Sequence, residues 1–146
     1  MTAPAAGHQA VLIIPSGDAS AEDVVRVWVA AALDGVPLVP RLRAALVVEE
    51  LVSNAYRHGR LPCVLRLSLD ESHRFLQVFV DDAGADDSAV WHTGSGLSLV
   101  DSLTAHWSVE WRAQGKTVWG EIGMGMRIVA LTAPPQPPPQ VWPGRV

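Results

Sequence analysis

Two stretches in the middle of the chain place apolar residues at every second position. The first covers residues 63–69 and the second covers residues 75–82, and the polar residues 70–73 separate them. Alternation with a period of two is typical of a strand that buries one face, and a short polar segment between two such runs indicates a turn. We therefore expect an antiparallel hairpin whose second strand ends at Asp82.

Three other stretches repeat their apolar residues at helical spacing. They cover approximately residues 21–35, 41–58 and 96–105. Apolar residues three and four positions apart form one stripe along a helix, and that stripe is buried against a core. The second helix is followed by Gly59, which stands where a C-terminal cap is expected.

Shorter apolar runs predict the remaining strands. Residues 11–14 read as an edge strand that Pro15 ends, residues 107–111 and 117–122 predict a second hairpin, and residues 126–131 could extend the sheet. The order of elements predicts an α/β sandwich of the α+β class, with a mixed, mostly antiparallel sheet and about three helices on one face. A Rossmann layout, which needs a helix between consecutive strands, is disfavoured.

The two ends of the chain differ in composition from its middle. Residues 1–10 are small and polar, so we expect a flexible N-terminus. Six of the eleven prolines fall within residues 133–146, where they cannot donate sheet hydrogen bonds, and this segment is expected to be a disordered tail. We place one domain between them, at residues 11–132.

Composition narrows the function classes. The 146 residues are 49% hydrophobic and 18% charged with a net charge of −4, which argues against intrinsic disorder and disfavours direct binding to nucleic acid or to a membrane surface. The single cysteine, Cys63, cannot form an internal disulfide or a cysteine-based zinc site. The first basic residue is Arg26 and no apolar run is long enough for a membrane span, so we expect a cytoplasmic protein.

The second predicted helix carries a line of polar residues. Glu50, Asn54 and His58 lie four residues apart in turn, so they stack along one face of the helix. A carboxylate and an amide in this arrangement can orient a water molecule and bind a hard cation such as Mg²⁺. The alternative is a solvated polar face, and His58 can equally orient a phosphate or pack at the helix end.

Two glycine-containing segments are candidates for nucleotide contacts. Asp82 and Gly84 follow a strand, where a carboxylate can accept a hydrogen bond from an adenine amino group and a glycine allows close approach, although a simple turn explains the same pattern. Gly94, Gly96 and Leu97 open the third helix, where free backbone N–H groups can face an anion. A glycine cap is the alternative there.

Other apparent motifs are set aside. Residues 115–117 resemble the end of a P-loop, but Glu110 occupies the position of its first glycine and strands flank the segment, so a hairpin turn is expected. The four aspartates within residues 81–87 are interpreted as solvated. The histidines do not have the spacing of a zinc site.

Several segments together resemble the N, G1 and G2 boxes of the histidine-kinase-like ATPase superfamily, which includes gyrase, chaperone, mismatch-repair and histidine-kinase ATP-binding domains. They are similar above all to small actinobacterial single-domain proteins related to anti-sigma-factor serine/threonine kinases. The resemblance extends over residues 11–122 and implies a Bergerat-type ATP-binding fold. The segments that carry it are residues 50–59, 82–84, 94–97, 96–100 and 115–119.

The resemblance implies ATP and Mg²⁺ as cofactors. It would assign Asn54 to the metal, Glu50 to catalysis through the attacking hydroxyl or water, and Asp82 to the adenine amine, with Thr117 joined to Asp82 through a water molecule. The other residues that it would place around the nucleotide are His58, Gly84, Gly94, Gly96 and Leu97.

It also implies a role in transcription regulation. Members of the family transfer phosphate from ATP to a serine or threonine of an antagonist protein and sequester a sigma factor, so both proteins are expected partners, and a homodimer is compatible with the pattern. Two departures weaken the expectation of catalysis: Asp86 stands where a second G1 glycine belongs, and residues 84–94 contain no arginine or lysine. A non-catalytic ATP-gated binding module and a protein adaptor with vestigial boxes therefore stay open as alternatives.

Overall fold

The computed structural model describes residues 9–70, 74–83 and 97–125. Within these ranges the chain forms five strands and three helices. Their bounds are β1 Gln9–Ile14, α1 Ala19–Ala32, α2 Leu38–His58, β2 Cys63–Leu69, β3 Phe75–Asp82, α3 Leu97–Leu103, β4 His106–Arg112 and β5 Gly115–Gly123.

The strands form one sheet in the order β1-β2-β3-β5-β4, and every neighbouring pair is antiparallel. The predicted fold class, an α/β sandwich with a mostly antiparallel sheet and about three helices, is confirmed. Strand β3 is central, with β2 on one side and β5 on the other. Because β5 lies between β3 and β4, the last strand of the described chain is inserted into the sheet.

The two faces of the sheet have different surroundings. On the face that we call the helix face, alternate strand residues join α1, α2 and α3 in one hydrophobic core. The opposite face, which we call the open face, carries no helix among the residues described. Helix-face residues include Leu65, Leu67, Leu76, Val78, Val80, Val118 and Ile122, and open-face residues include Val64, Arg66, Gln77, Phe79, Asp81, Thr117, Trp119 and Glu121.

Helix α2 spans the helix face because its apolar residues recur every three or four positions. Ala44, Val47, Leu51 and Ala55 are all at most 1% exposed. The helix ends at Gly59, whose N–H donates to the carbonyl oxygen of Ala55 at 3.0 Å. A 21-residue helix of this kind extends about 30 Å and reaches across the sheet to the end of β3.

Several predicted boundaries differ by two or three residues, and the hairpin turn expected at residues 115–117 is wrong. These residues are the first three of β5, because the turn is formed by Ala113 and Gln114. The second helix begins at Leu38, three residues before the predicted start, because Pro40 falls in its first turn, where the missing N–H of proline costs no helical hydrogen bond. The prediction that residues 9 and 10 are flexible is wrong, since Gln9 and Ala10 pair with Ser68 and Leu67 in the sheet. The remaining N-terminal residues and the predicted segments 126–131 and 133–146 lie outside the described residues.

None of the helices in the described ranges has the length and apolar character needed to cross a membrane.

Candidate functional site

The polar line of α2 is partly enclosed by the protein. Asn54 is fully buried, at 0% exposure, while Glu50 and His58, one turn away on either side, are half-buried. Asn54 follows Val47 and Leu51 at helical spacing, so it lies at the edge of the stripe that contacts the core. The interpretation of this line as a solvated face therefore does not apply to Asn54.

Glu50 borders a cavity between α1 and α2. The cavity has a volume of about 180 Å³, and Glu50, Ser53 and Tyr56 of α2 line it together with Glu22 and Arg26 of α1. Burial raises the pKa of Tyr56, with smaller contributions from the charges of Cys63, Glu22 and Asp18. Glu50, the carboxylate expected to be catalytic, thus borders a surface cavity and lies one helical turn before the buried amide of Asn54.

Asp82 lies on the helix face at the end of β3 and forms a buried ion pair. Its Oδ2 atom is 2.6 Å from Nζ of Lys116, and the two side chains are only 1% and 2% exposed. This role of Lys116 was not predicted from the sequence. The signal was present in the alternation of β5, because Val118 and Ile122 face the core and Lys116 has the same parity.

Close contacts bring three elements together around Asp82. A Cβ atom on Gly59 would lie 2.5 Å from the carboxylate carbon of Asp82, and one on Gly115 would lie 1.9 Å from its backbone oxygen. The N–H of Ala83 donates to the carbonyl oxygen of Arg60 at 3.1 Å. The end of α2, the end of β3 and the turn between β4 and β5 therefore meet at one point, and glycines permit the approach.

Arg112, the last residue of β4, stabilises the same end of the sheet. Its Nη2 atom donates to the carbonyl oxygens of Asp82, at 3.2 Å, and of Lys116, at 2.9 Å. One guanidinium thus ties the end of β3 to the start of β5. Charge-assisted hydrogen bonds of this kind are stronger than neutral ones, so this end of the sheet is held in a defined geometry.

The predicted link between Thr117 and Asp82 is wrong. Thr117 is on the open face, where its hydroxyl donates to Oδ1 of Asp81. Arg66 donates to both carboxylate oxygens of Asp81, from Nε at 3.0 Å and from Nη2 at 3.2 Å. Successive residues of a strand point to opposite faces, so Thr117 cannot share a partner with its neighbour Lys116.

Cys63 faces Asp82 across the β2–β3 pairing. The thiol is 0% exposed, and its pKa is raised to about 11, first by burial and then by the charges of Asp82 and Asp81, while Lys116 opposes the shift. The thiol is therefore neutral and unreactive at physiological pH.

The third predicted motif is only partly described. Gly84, Gly94 and Gly96 lie outside the described residues, and Leu97 begins α3 and is 6% exposed within the core. Within the described ranges, no group of three histidine, cysteine or acidic side chains is arranged to hold a metal ion.

No protein-family model matches the chain, and no curated protein matches its sequence.

Proposed function

We propose that the chain is an ATP-binding regulatory protein that phosphorylates a serine or threonine of an antagonist protein and sequesters a sigma factor or a similar cytoplasmic partner. The observation that supports it best is the position of Asp82. This buried carboxylate is on the helix face, directly below the end of the helix that carries Glu50 and Asn54, as a nucleotide site between helices and sheet requires. The resemblance of the N, G1 and G2 segments assigns the carboxylate at this position to the amino group of adenine.

Asp82 supplies base selectivity in this proposal. An ionised carboxylate only accepts hydrogen bonds, and the exocyclic amine of adenine donates them, whereas guanine presents a carbonyl oxygen at the same place. The ammonium of Lys116 donates to Oδ2 of the Asp82 carboxylate at 2.6 Å. Two carboxylate oxygens have about four acceptor sites, so one donor from lysine and one from adenine are compatible.

Asn54 and Glu50 supply the phosphate end of the site. Mg²⁺ is usually held by one or two protein oxygens together with phosphate oxygens and water, so a single amide oxygen from Asn54 fits that role. The metal, when bound, neutralises charge on the phosphates. Glu50 then accepts a hydrogen bond from the hydroxyl of the partner's serine or threonine and orients that oxygen towards the terminal phosphate.

The Lys116–Asp82 ion pair favours a second candidate, a non-catalytic ATP-gated binding module. A base that approaches Asp82 must share or displace a buried ammonium, and a displacement that extends to the Lys116 backbone would disturb the hydrogen bond from Arg112 to its carbonyl oxygen. Nucleotide binding would then change the surface near this end of the sheet without phosphate transfer.

Calorimetry with Mg·ATP and Mg·GTP tests the base site. We expect wild type to prefer ATP, and Asp82→Asn to lose at least about 1.5 kcal/mol of ATP affinity, which is more than tenfold. Asp81→Asn is the matched control, because it makes the same change on the neighbouring residue of the opposite face. Equal affinities for ATP and GTP, or the same loss in both variants, would contradict the assignment.

Omitting magnesium tests Asn54. Asn54→Ala should weaken ATP binding mainly when Mg²⁺ is present, since its amide oxygen is assigned to the metal. In EDTA the difference between wild type and variant should shrink. A defect of equal size in both buffers would make Asn54 a structural residue only.

Phosphate transfer separates the two candidate functions. Glu50→Gln should retain ATP affinity but reduce phosphorylation of the antagonist protein by about 10²-fold or more, measured by mass spectrometry. Glu49→Gln is the control, because Glu49 is the adjacent acidic residue of α2 and pairs with Arg26 at the surface. Equal transfer by wild type and Glu50→Gln would remove Glu50 from the mechanism. ATP binding without transfer to any of several antagonist proteins would favour the binding module.

A further inference from the structure

The open face of the sheet carries a preformed aromatic platform. The rings of Phe79 and Trp119 are 6.2 Å apart at an interplanar angle of 31°, and the guanidinium of Arg66 lies 4.5 Å from the centre of the Phe79 ring. The bidentate pair with Asp81 holds Arg66 in this position, and Thr117 bonds to the same carboxylate. A surface whose side chains are already fixed loses little conformational entropy when something packs on it.

An apolar strip adjoins this platform along the edge strand. Val11 and Ile13 of β1 are 53% and 64% exposed, and their register partners on β2 are Arg66 and Val64. Aromatic and aliphatic side chains thus form one surface from β1 to β5. Exposed apolar residues that adjoin in this way are typical of a surface that another segment covers.

Three residues of the open face are more deeply buried than their position suggests. Phe79 and Ser68 are each 1% exposed and Thr117 is 5% exposed, although no described helix lies on their side of the sheet. Stacking of Arg66 accounts for part of the burial of Phe79. The hydroxyl of Ser68 is buried without a hydrogen-bond partner in the described part of the chain, and such a group is normally satisfied by a further donor or acceptor.

The chain itself supplies a segment of matching chemistry. Strand β5 ends at Gly123, opposite Phe75, and the N–H of Met124 donates to the carbonyl oxygen of Arg74 at 2.8 Å. Gly125 then has a φ of +66°, a left-handed conformation typical of a change in chain direction. The chain therefore leaves the described structure beside β3, only four strand residues, about 13 Å, from Phe79.

The length beyond Gly125 is sufficient to cover the face. Residues 126–146 follow, and the proline-rich part begins at Ala133. A segment of eight extended residues covers about 25 Å, and the five strands span about 19 Å, so the prolines can reach any part of the sheet. Proline cannot donate to a strand edge, which makes a face a better docking surface than an edge.

We propose that residues 133–146 dock on the open face in polyproline II conformation, over Trp119 and the Arg66 side chain that covers Phe79. Polyproline II segments bind aromatic surfaces because they are extended before binding and lose little entropy. Their carbonyl groups have no internal hydrogen bonds and can accept from the hydroxyl of Ser68. A second groove between α1 and α2, distinct from the cavity beside Glu50, has a volume of about 280 Å³; it is lined by aliphatic residues such as Val29 and Leu42 and lacks such a platform.

Paramagnetic relaxation in the full-length chain tests the proposal. Gly144→Cys provides a site for a nitroxide label, and Cys63 stays unlabelled because it is buried and its thiol is protonated. We expect the amide signals of Val64, Phe79 and Trp119 to lose more than half of their intensity. The signals of Ala30 and Leu42, which line the α1–α2 groove, should keep theirs.

A tail variant and a mixing experiment complete the test. Substitution of Pro137, Pro138 and Pro139 by alanine in the labelled chain should reduce the broadening severalfold, because alanine does not fix the extended conformation. Broadening at the α1–α2 groove, or at no described residue, would overturn the proposal. Broadening that appears in an isotope-labelled chain only when a separate nitroxide-labelled copy is added would identify a second copy as the occupant and would also overturn it.

Discussion

Asp81 and Asp82 are consecutive residues of one strand, yet they occupy opposite environments. Asp82 points into the helix face and forms an ion pair with Lys116 that is almost fully buried. Asp81 points to the open face, where Arg66 and Thr117 bind a carboxylate that is 24% exposed. The two carboxylates are therefore chemically identical groups in regions of different polarity.

This difference in burial determines how much the loss of each ion pair lowers the free energy of unfolding. A buried pair has lost its hydration, so removal of one partner leaves an uncompensated charge in a poorly polarisable region, which costs several kcal/mol. A partly exposed pair keeps water and salt as substitutes for a lost partner. The comparison teaches that a function assigned to Asp82 has to coexist with a structural role, whereas Asp81 can be changed with little effect on stability.

The largest expected effect is that of Lys116→Met. This substitution keeps the aliphatic chain but removes the ammonium, and it should lower the free energy of unfolding by about 3 to 5 kcal/mol in urea titrations at pH 7. In a Lys116→Met, Asp82→Leu double variant, the stability should return to within about 2 kcal/mol of wild type. A loss below 1 kcal/mol for the single variant would mean that the two aspartates do not differ as described.

A somewhat smaller effect is expected at Gly59. In Gly59→Ala the new methyl group would meet the Asp82 carboxylate, so we expect a loss of about 1 to 3 kcal/mol in thermal or urea unfolding. Gly123→Ala is the control, since a Cβ there has no atom within 4 Å. If both variants are equally stable, the contact between the end of α2 and Asp82 is looser than the structure indicates.

The thiol of Cys63 reports the charge of both aspartates through the pH dependence of stability. Its folded pKa of about 11 exceeds the ordinary value of 9.0, so the folded state holds the proton more tightly. This contribution is fully present below pH 9 and is lost as the pH rises towards 11, by an amount on the order of 2 kcal/mol.

The free energy of unfolding, measured from pH 8 to 11 in chains with Cys63 and with Cys63→Val, isolates this contribution as the difference between the two. Asp82→Asn should reduce the pH dependence of that difference more than Asp81→Asn, because the charge of Asp82 raises the pKa of Cys63 more than the charge of Asp81 does. A larger change in Asp81→Asn would reverse the comparison between the two carboxylates.

The smallest expected effect is on the open face. Asp81→Asn should cost less than about 1 kcal/mol of unfolding free energy, because a partly exposed ion pair is screened. The cost should fall further between 0.1 M and 1 M salt. Near-ultraviolet circular dichroism would show whether Arg66 keeps its place over the Phe79 ring.

The sequence predicted the sheet better than the site. Residues 63–69 and 75–82 were predicted as strands with correct ends, because alternation with a period of two is a direct consequence of one buried face. The burial of Asn54 could not be predicted, since helical spacing alone does not say which neighbours cover an amide.

The predicted neighbour of Asp82 was wrong because it was taken from motif spacing. The alternation of side chains between the two faces of a strand would have given the correct residue. Thr117 was placed near Asp82, but the residue of correct parity is Lys116, and lysine is almost never fully buried unless it is paired. Gly59 is the C-cap of α2, as predicted. Its φ is −121°, which any residue can adopt, so a glycine is needed there for the close approach to Asp82.

The insertion of β5 between β3 and β4 has a kinetic consequence. Strands β4 and β5 are joined by a short turn and can pair early, but Asp82 and Lys116 are 34 residues apart and meet only when this hairpin joins β3. Closing a loop of that length is a slow step in folding, because the chain loses conformational entropy before the contacts that compensate for it have formed. The ammonium of Lys116 must therefore lose its water in the same event that completes the sheet.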